Sequence, residues 1–153
     1  MLFDTDKRVY RIGINGQDLT KLTEFDSWAG SWSPDGEMIA VSSERGIYTM
    51  QQNGQSQLRL TNTAASFPTW SPNGQYMAYL TGTNPQLWVM SAKGRDQRRL
   101  TETTCWDYVW VSEGDWLACL TGQSADLTIR TIHRGAPQQQ DIATANERHL
   151  SWR

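Results

Sequence analysis

Cysteine and histidine are scarce in this 153-residue chain, at two residues each. Two cysteines cannot build a disulfide scaffold. Cys105 and Cys119 lie in neighbouring segments whose expected pairing register does not set them opposite each other, so they are expected to remain unpaired. Together with His133 and His149 they lack the close paired spacing of a zinc site, and no structural metal or cofactor is expected. An excess of charge of one sign is also missing. Fourteen Lys and Arg stand against sixteen Asp and Glu, a net charge of −2, which leaves no long-range field to gather nucleic acid or an anionic membrane surface. Long apolar runs are absent too: nothing approaches the roughly 18 residues of a membrane span, so no membrane insertion is expected. Residues 1–13 lack the basic segment and apolar stretch of a secretory leader. The expectation is a soluble chain, cytoplasmic, or periplasmic if it is a processed or excised piece of a longer one. No window places apolar residues at helical spacing.

What is present is a repeat of about forty residues, a period that decides a fold. Ser31-Trp32-Ser33-Pro34-Asp35-Gly36 returns as Thr69-Trp70-Ser71-Pro72-Asn73-Gly74 and, worn, as Val109-Trp110-Val111-Ser112-Glu113-Gly114, with a last start at Ser151-Trp152. A second block keeps step. It reads Val9-Tyr10 to Leu22-Thr23, Ile47-Tyr48 to Leu60-Thr61, Leu87-Trp88 to Leu100-Thr101, and Leu127-Thr128 to Ile142-Ala143. Each unit holds four short runs rich in β-branched and aromatic residues, separated by Pro, Gly, Asn and Asp. In the Pro-Asp-Gly and Pro-Asn-Gly turns, proline presets φ, Asp or Asn tolerates the bend and glycine takes positive φ. Four antiparallel strands per unit, repeated, predict an all-β protein built of propeller blades.

These units resemble the TolB-type or PD40 propeller repeats, carried by Trp32 to Gly36 and Trp70 to Gly74 with the linked Ile47-Tyr48-Thr49-Met50 and Leu87-Trp88-Val89-Met90. The resemblance spans roughly residues 9–152. It implies a β-propeller and blade order with the Trp-bearing strand innermost. It assigns no activity, because such blades serve both as binding platforms and as filters in front of separate catalytic domains.

The predicted blades cover 30–61, 67–101 and 107–143, with a fourth split between 148–153 and 1–23, the whole of 1–153 forming one propeller domain or half-propeller. Unpaired strands at the two ends would expose rows of backbone donors and acceptors. Three ways of pairing them stay open: closure within one chain, closure between two chains into an eight-bladed homodimeric ring, or incorporation into a larger propeller or assembly.

Trp32, Trp70, Trp110 and Trp152 recur once per unit, as blade packing requires. Tyr10, Tyr48 and Trp88 are placed in the core with them. Binding groups are sought instead among residues that escape the repeat, on loops over a rigid scaffold. The loops entering each inner strand carry Trp28, Trp106, Asp107, Glu147 and Arg148, and Trp116 is added from the second strand of the third unit. Trp and Arg are common hot-spot types, so these six are the candidate partner-binding residues. No catalytic residue is found: Gly122-Gln123-Ser124-Ala125-Asp126 only superficially resembles a nucleophile elbow. The reading is a non-catalytic protein-interaction or scaffold module. The alternative is a propeller that gates substrate for a peptidase, or a propeller hydrolase or lyase acting at the channel mouth.

Overall fold

The structure, a computed structural model, describes residues 1–111, 114–123, 126–135 and 139–146. Fifteen strands fall into four antiparallel sheets among these residues. The first sheet has three strands, β1 (Leu2–Thr5), β2 (Arg8–Arg11) and β3 (Thr20–Lys21). The second follows as β4 (Trp28–Trp32), β5 (Met38–Ser43), β6 (Gly46–Gln51) and β7 (Leu58–Arg59). The third is β8 (Ser66–Trp70), β9 (Tyr76–Thr81), β10 (Gln86–Ser91) and β11 (Arg98–Arg99). The fourth is β12 (Asp107–Val111), β13 (Trp116–Gln123), β14 (Asp126–His133) and β15 (Gln139–Asn146). Each sheet is a simple meander in chain order, the arrangement expected of blades, and the first contains the three outer strands of a unit without an inner one.

The repeated residues have identifiable mechanical roles. In the Trp-Ser-Pro-Asp-Gly turn the Ser33 hydroxyl accepts the Met38 amide at 2.9 Å and donates to the Asp35 carboxylate. That carboxylate also accepts the Glu37 amide at 3.0 Å. Ser71 and Asn73 repeat the arrangement with Tyr76 and Gln75. The closing Leu-Thr pair works through the threonine hydroxyl. Thr23, Thr61 and Thr101 are buried and accept the amides of Val9, Ile47 and Leu87 at 3.0, 2.9 and 2.9 Å. A side chain thus takes over from the ladder, which explains why β3, β7 and β11 are only two residues long.

The fourth sheet departs from this pattern. Ala143 replaces the threonine, and β15 runs as a full ladder partner of β14. The hairpin between β13 and β14 is extended, so Leu120 pairs with Ile129 where Leu80 pairs with Leu87. Ile129, not Leu127, therefore holds the repeat position, a two-residue correction to the sequence alignment.

Packing between sheets follows one rule. One face of each sheet receives the opposite face of the next. Val9 and Leu22 meet Ile39, Val41 and Met50; Ala40 and Ile47 meet Met77, Tyr79 and Met90; Ala78, Leu80, Leu87 and Val89 meet Trp110, Leu117 and Ile132. Trp110 is core as expected and donates its indole N–H to Thr69 O at 3.1 Å, across the sheet boundary. Trp32, Trp70, Tyr48 and Trp88 pack against these clusters half-buried. Tyr10 instead stacks on Phe3 at 5.6 Å, on the face of the first sheet turned away from the second.

The cysteines correct the expectation. Cys105 and Cys119 form a disulfide with 5.8 Å between their Cα atoms. The register argument was sound, since Cys119 faces Tyr108 in the ladder. Cys105, however, lies in the loop before β12, outside the ladder, and meets Cys119 in the apolar layer between the third and fourth sheets. Both are buried.

Candidate binding rim

Chain direction places the loops entering β4, β8 and β12 at the same end of the blades as the β5–β6 and β9–β10 turns. The Pro-Asp-Gly and Asn-Gly turns lie at the other end. The rim built by the first set carries the two most exposed aromatics among the described residues, Phe67 and Trp106. Trp106 is 51% exposed, and its indole N–H donates to Gly122 O at 2.8 Å while its amide donates to Leu120 O at 2.8 Å. The neighbouring Cys105–Cys119 bridge fastens the same loop to β13. An exposed indole is thereby held in one place by a covalent link and two hydrogen bonds. Asp107 beside it is exposed, and its carboxylate accepts the Tyr108 amide at 2.8 Å.

Phe67 is the residue that sequence reading missed. It stands 57% exposed at the same end of the adjacent blade. A bulge between Ser66 and Thr69 interrupts the β8–β9 ladder, and Phe67 sits there at φ 53°, a left-handed conformation uncommon for a bulky residue. Its amide donates to Ser42 Oγ at 3.0 Å, and its carbonyl accepts from the Tyr108 hydroxyl. Ala29 occupies the same bulge in the preceding blade at φ 50°. The bulge turns outward a residue that strand alternation would count as inward.

Tyr108 is the post behind the rim. Its hydroxyl also reaches Ala78 O at 2.8 Å, and burial pushes the phenol far above its ordinary value. It stays neutral and acts as a hydrogen-bond donor across the blade boundary.

A cavity of about 430 Å³ opens beside Trp106, lined by Asn84, Gln86, Glu102, Thr103, Thr121 and Gly122. A second, of about 350 Å³, occupies the equivalent place two blades earlier and is lined by Arg8, Glu24, Phe25, Asp26 and Arg45. There Arg8 and Lys7 pair with Asp26, and the hydrogen bond from Arg8 is the main cause holding its carboxyl below the ordinary range.

The other sequence candidates are dispersed. Trp28 is half-buried at the start of β4, two blades from Trp106. Trp116 lies at the opposite end of its blade, half-buried, with His133 edge-on at 4.8 Å. It does not join the rim. Glu147 and Arg148 lie outside the described residues, as do Ser112, Glu113, His149 and the inner strand expected near Trp152.

Four meandering sheets packed face to face define the class: this is a β-propeller fold of the TolB type. The chain is similar to a putative TolB from Agrobacterium tumefaciens, with a TM-score of 0.75, 18% identity, and coverage of 91% of this chain and 57% of that one. It is likewise similar to TolB from Acinetobacter baumannii, with a TM-score of 0.72, 18% identity, and coverage of 88% and 37%. A puromycin-hydrolyzing peptidase of Mycobacterium tuberculosis matches with a TM-score of 0.73 and 15% identity, over 92% of this chain and 28% of that one. The chain thus spans between about a third and three fifths of the length of the two TolB structures. No protein-family profile and no curated sequence matches it.

Proposed function

We propose that the protein is a non-catalytic interaction module that binds a peptide segment of a partner protein along the rim formed by Phe67 and Trp106. The observation that carries this reading is the immobilisation of an exposed indole. Trp106 is tied through its own N–H groups and through Cys105, so ordering it on binding costs little entropy. Rigid aromatic anchors of this kind concentrate binding energy. Phe67 adds a second anchor, and the adjacent cavity offers amide, hydroxyl and carboxylate groups to a bound backbone.

The test is a selection of binders from a random peptide library. Peptides enriched on the wild-type protein are expected to lose at least tenfold in affinity against Trp106→Ala and Phe67→Ala, and to bind Lys93→Ala, altered at the opposite end, unchanged. Equal binding to all three variants would overturn the rim assignment.

A second reading is favoured by the likeness to the peptidase, of which this chain covers 28%: a propeller that admits substrate to a neighbouring catalytic domain. The same rim would then face the passing peptide. Turnover of a peptide panel by the purified chain would displace the non-catalytic reading.

A further inference from the structure

The outer edge of the third blade carries a concentration of positive charge that its siblings lack. In each of the first three blades a turn and a two-residue strand lead into the closing Leu-Thr pair, which sets the alignment. Where the first blade has Asn15, Gln17 and Thr20, and the second Asn53, Gln55 and Leu58, the third has Lys93, Arg95 and Arg98. All three are exposed, and none forms an ion pair among the described residues. Asp96 is the one acid between them and is likewise unpaired among those residues, whereas Arg99 is taken up by Glu102 at 2.6 Å. In a chain with a net charge of −2 this positive field is local.

The fold does not require these cations. In the first two blades the turn is tied by its own amide side chains: Asn15 accepts the Gln17 amide and Asn53 the Gln55 amide, both at 3.0 Å, and each Asn donates to the Gln side chain, at 3.2 and 3.3 Å. In the third blade the duty has passed to Ser91, whose hydroxyl accepts the Arg95 amide at 3.0 Å and donates to Arg95 O at 3.2 Å. A mutually bonded pair of amides has thus given way to two like charges, which repel. Cations on an exposed edge deter unwanted strand pairing, yet the first two edges carry none at these positions.

A cavity of about 230 Å³ opens beside Arg98, lined also by Tyr76, Ser91, Asp96 and Arg134. Arg134 comes from the fourth blade. Its guanidinium lies over the Tyr76 ring at 3.7 Å, donates to Gly114 O at 3.0 Å and pairs with Asp115 at 2.7 Å. One wall of the cavity is therefore a fixed guanidinium and another the exposed Arg98.

We infer that this edge binds an acidic, extended segment of a partner protein, its carboxylates lying along Lys93, Arg95 and Arg98 and one of them entering the cavity. Guanidinium groups match carboxylates in geometry as well as charge. Nucleic acid fits less well. Three cations are fewer than the roughly six to ten phosphate contacts of a duplex binder. The exposed aromatics of the third and fourth blades, Phe67 and Trp106, on which bases could stack, stand at the other end. The last strand of a blade is its outermost, so this edge faces outward in a ring of any size. Lys93 belongs to this edge and not to the rim, and a rim-bound peptide is indifferent to it.

Fluorescence anisotropy at low ionic strength tests this, with a labelled oligoglutamate of about eight residues, long enough at ~3.3 Å per residue to span the stretch. The wild type is expected to bind it and to release it as salt is raised. Lys93→Asn/Arg95→Gln/Arg98→Thr installs the residues of the first blade and is expected to bind about tenfold or more weakly, with an unchanged thermal midpoint. Lys93→Arg/Arg95→Lys/Arg98→Lys keeps the charge and should bind as the wild type does. So should Lys7→Gln/Arg11→Gln/Lys21→Gln, which removes equal charge from the first blade. Absence of binding by the wild type, or equal loss in the two charge-removing variants, overturns the inference. An oligonucleotide of equal charge that binds this edge more tightly than the peptide also overturns it, by showing a surface for phosphate. The probe does not report on the rim, which carries the acids Glu102 and Asp107, so these outcomes are independent of whether the rim binds peptide.

Discussion

Reduction of the Cys105–Cys119 bridge is expected to destabilise the protein by about 3 kcal/mol. The two residues are 14 apart in sequence, and releasing a cross-link that closes a loop of about fifteen residues returns that much chain entropy to the unfolded state. Reduction is a cleaner perturbation than substitution because both sulfurs stay in place, buried against Trp110 and Leu117 in the same cluster, so no cavity is added. With a urea dependence of about 1–3 kcal/mol per molar, the unfolding midpoint should fall by about 1–3 M when the same preparation is unfolded with excess phosphine reductant. Alkylation of the denatured, unreduced chain should add no label. A midpoint that moves by less than about 0.3 M would refute the reasoning, as would two labels on the unreduced chain. The same reduction should loosen the loop bearing Trp106 and weaken peptide binding before it unfolds the protein.

Thr101→Val removes the acceptor of the buried Leu87 amide and should cost about 1–3 kcal/mol in urea unfolding, the usual penalty of an orphaned buried donor. Gly46→Ala should destabilise the protein more than Gly36→Ala. Gly46 sits at φ 136° and an added Cβ would lie 2.4 Å from Thr61 O, whereas at Gly36 it would meet nothing within 4 Å; paired thermal midpoints check this. The Asp26 and Asp35 carboxyls are both held below their ordinary value of 3.8, by the hydrogen bond from Arg8 and by that from Ser33 respectively. A depressed folded-state value means their contribution is present above about pH 4 and lost as pH falls through the folded value. Asp26→Asn/Asp35→Asn should therefore show a smaller fall in thermal midpoint between pH 6 and about pH 3 than the wild type.

The strands bearing the repeat were legible because each is bounded by residues with a mechanical duty: Ser33 and Asp35 in the turn, Gly36 at φ 73°, Thr61 at the close. The second strands of the two middle blades fall at Met38–Ser43 and Tyr76–Thr81, as the spacing predicts. Three features escaped it. The disulfide did because a ladder register says nothing about the loop that leads into the ladder. Phe67 did because the bulge that sets it apart is a feature of the backbone, at φ 53°, with no residue pattern to announce it. The shift to Ile129 did because lengthening a hairpin by paired residues leaves the apolar pattern intact while moving it along the strand. Of the proposed rim, Trp106 and Asp107 were readable as departures from the repeat, whereas Trp116 holds the apolar repeat position of Met38 and Tyr76 and lies at the other end of its blade.

The most direct test of the rim is a hydrogen-exchange footprint of a selected peptide bound to the chain. Protection is expected in residues 66–68, 102–107 and 120–123, which carry or adjoin Phe67 and Trp106, with the opposite turns at 34–37, 72–75 and 93–96 exchanging as in the free protein. Protection of those turns instead, with 102–107 unaffected, would contradict the assignment of binding to this face.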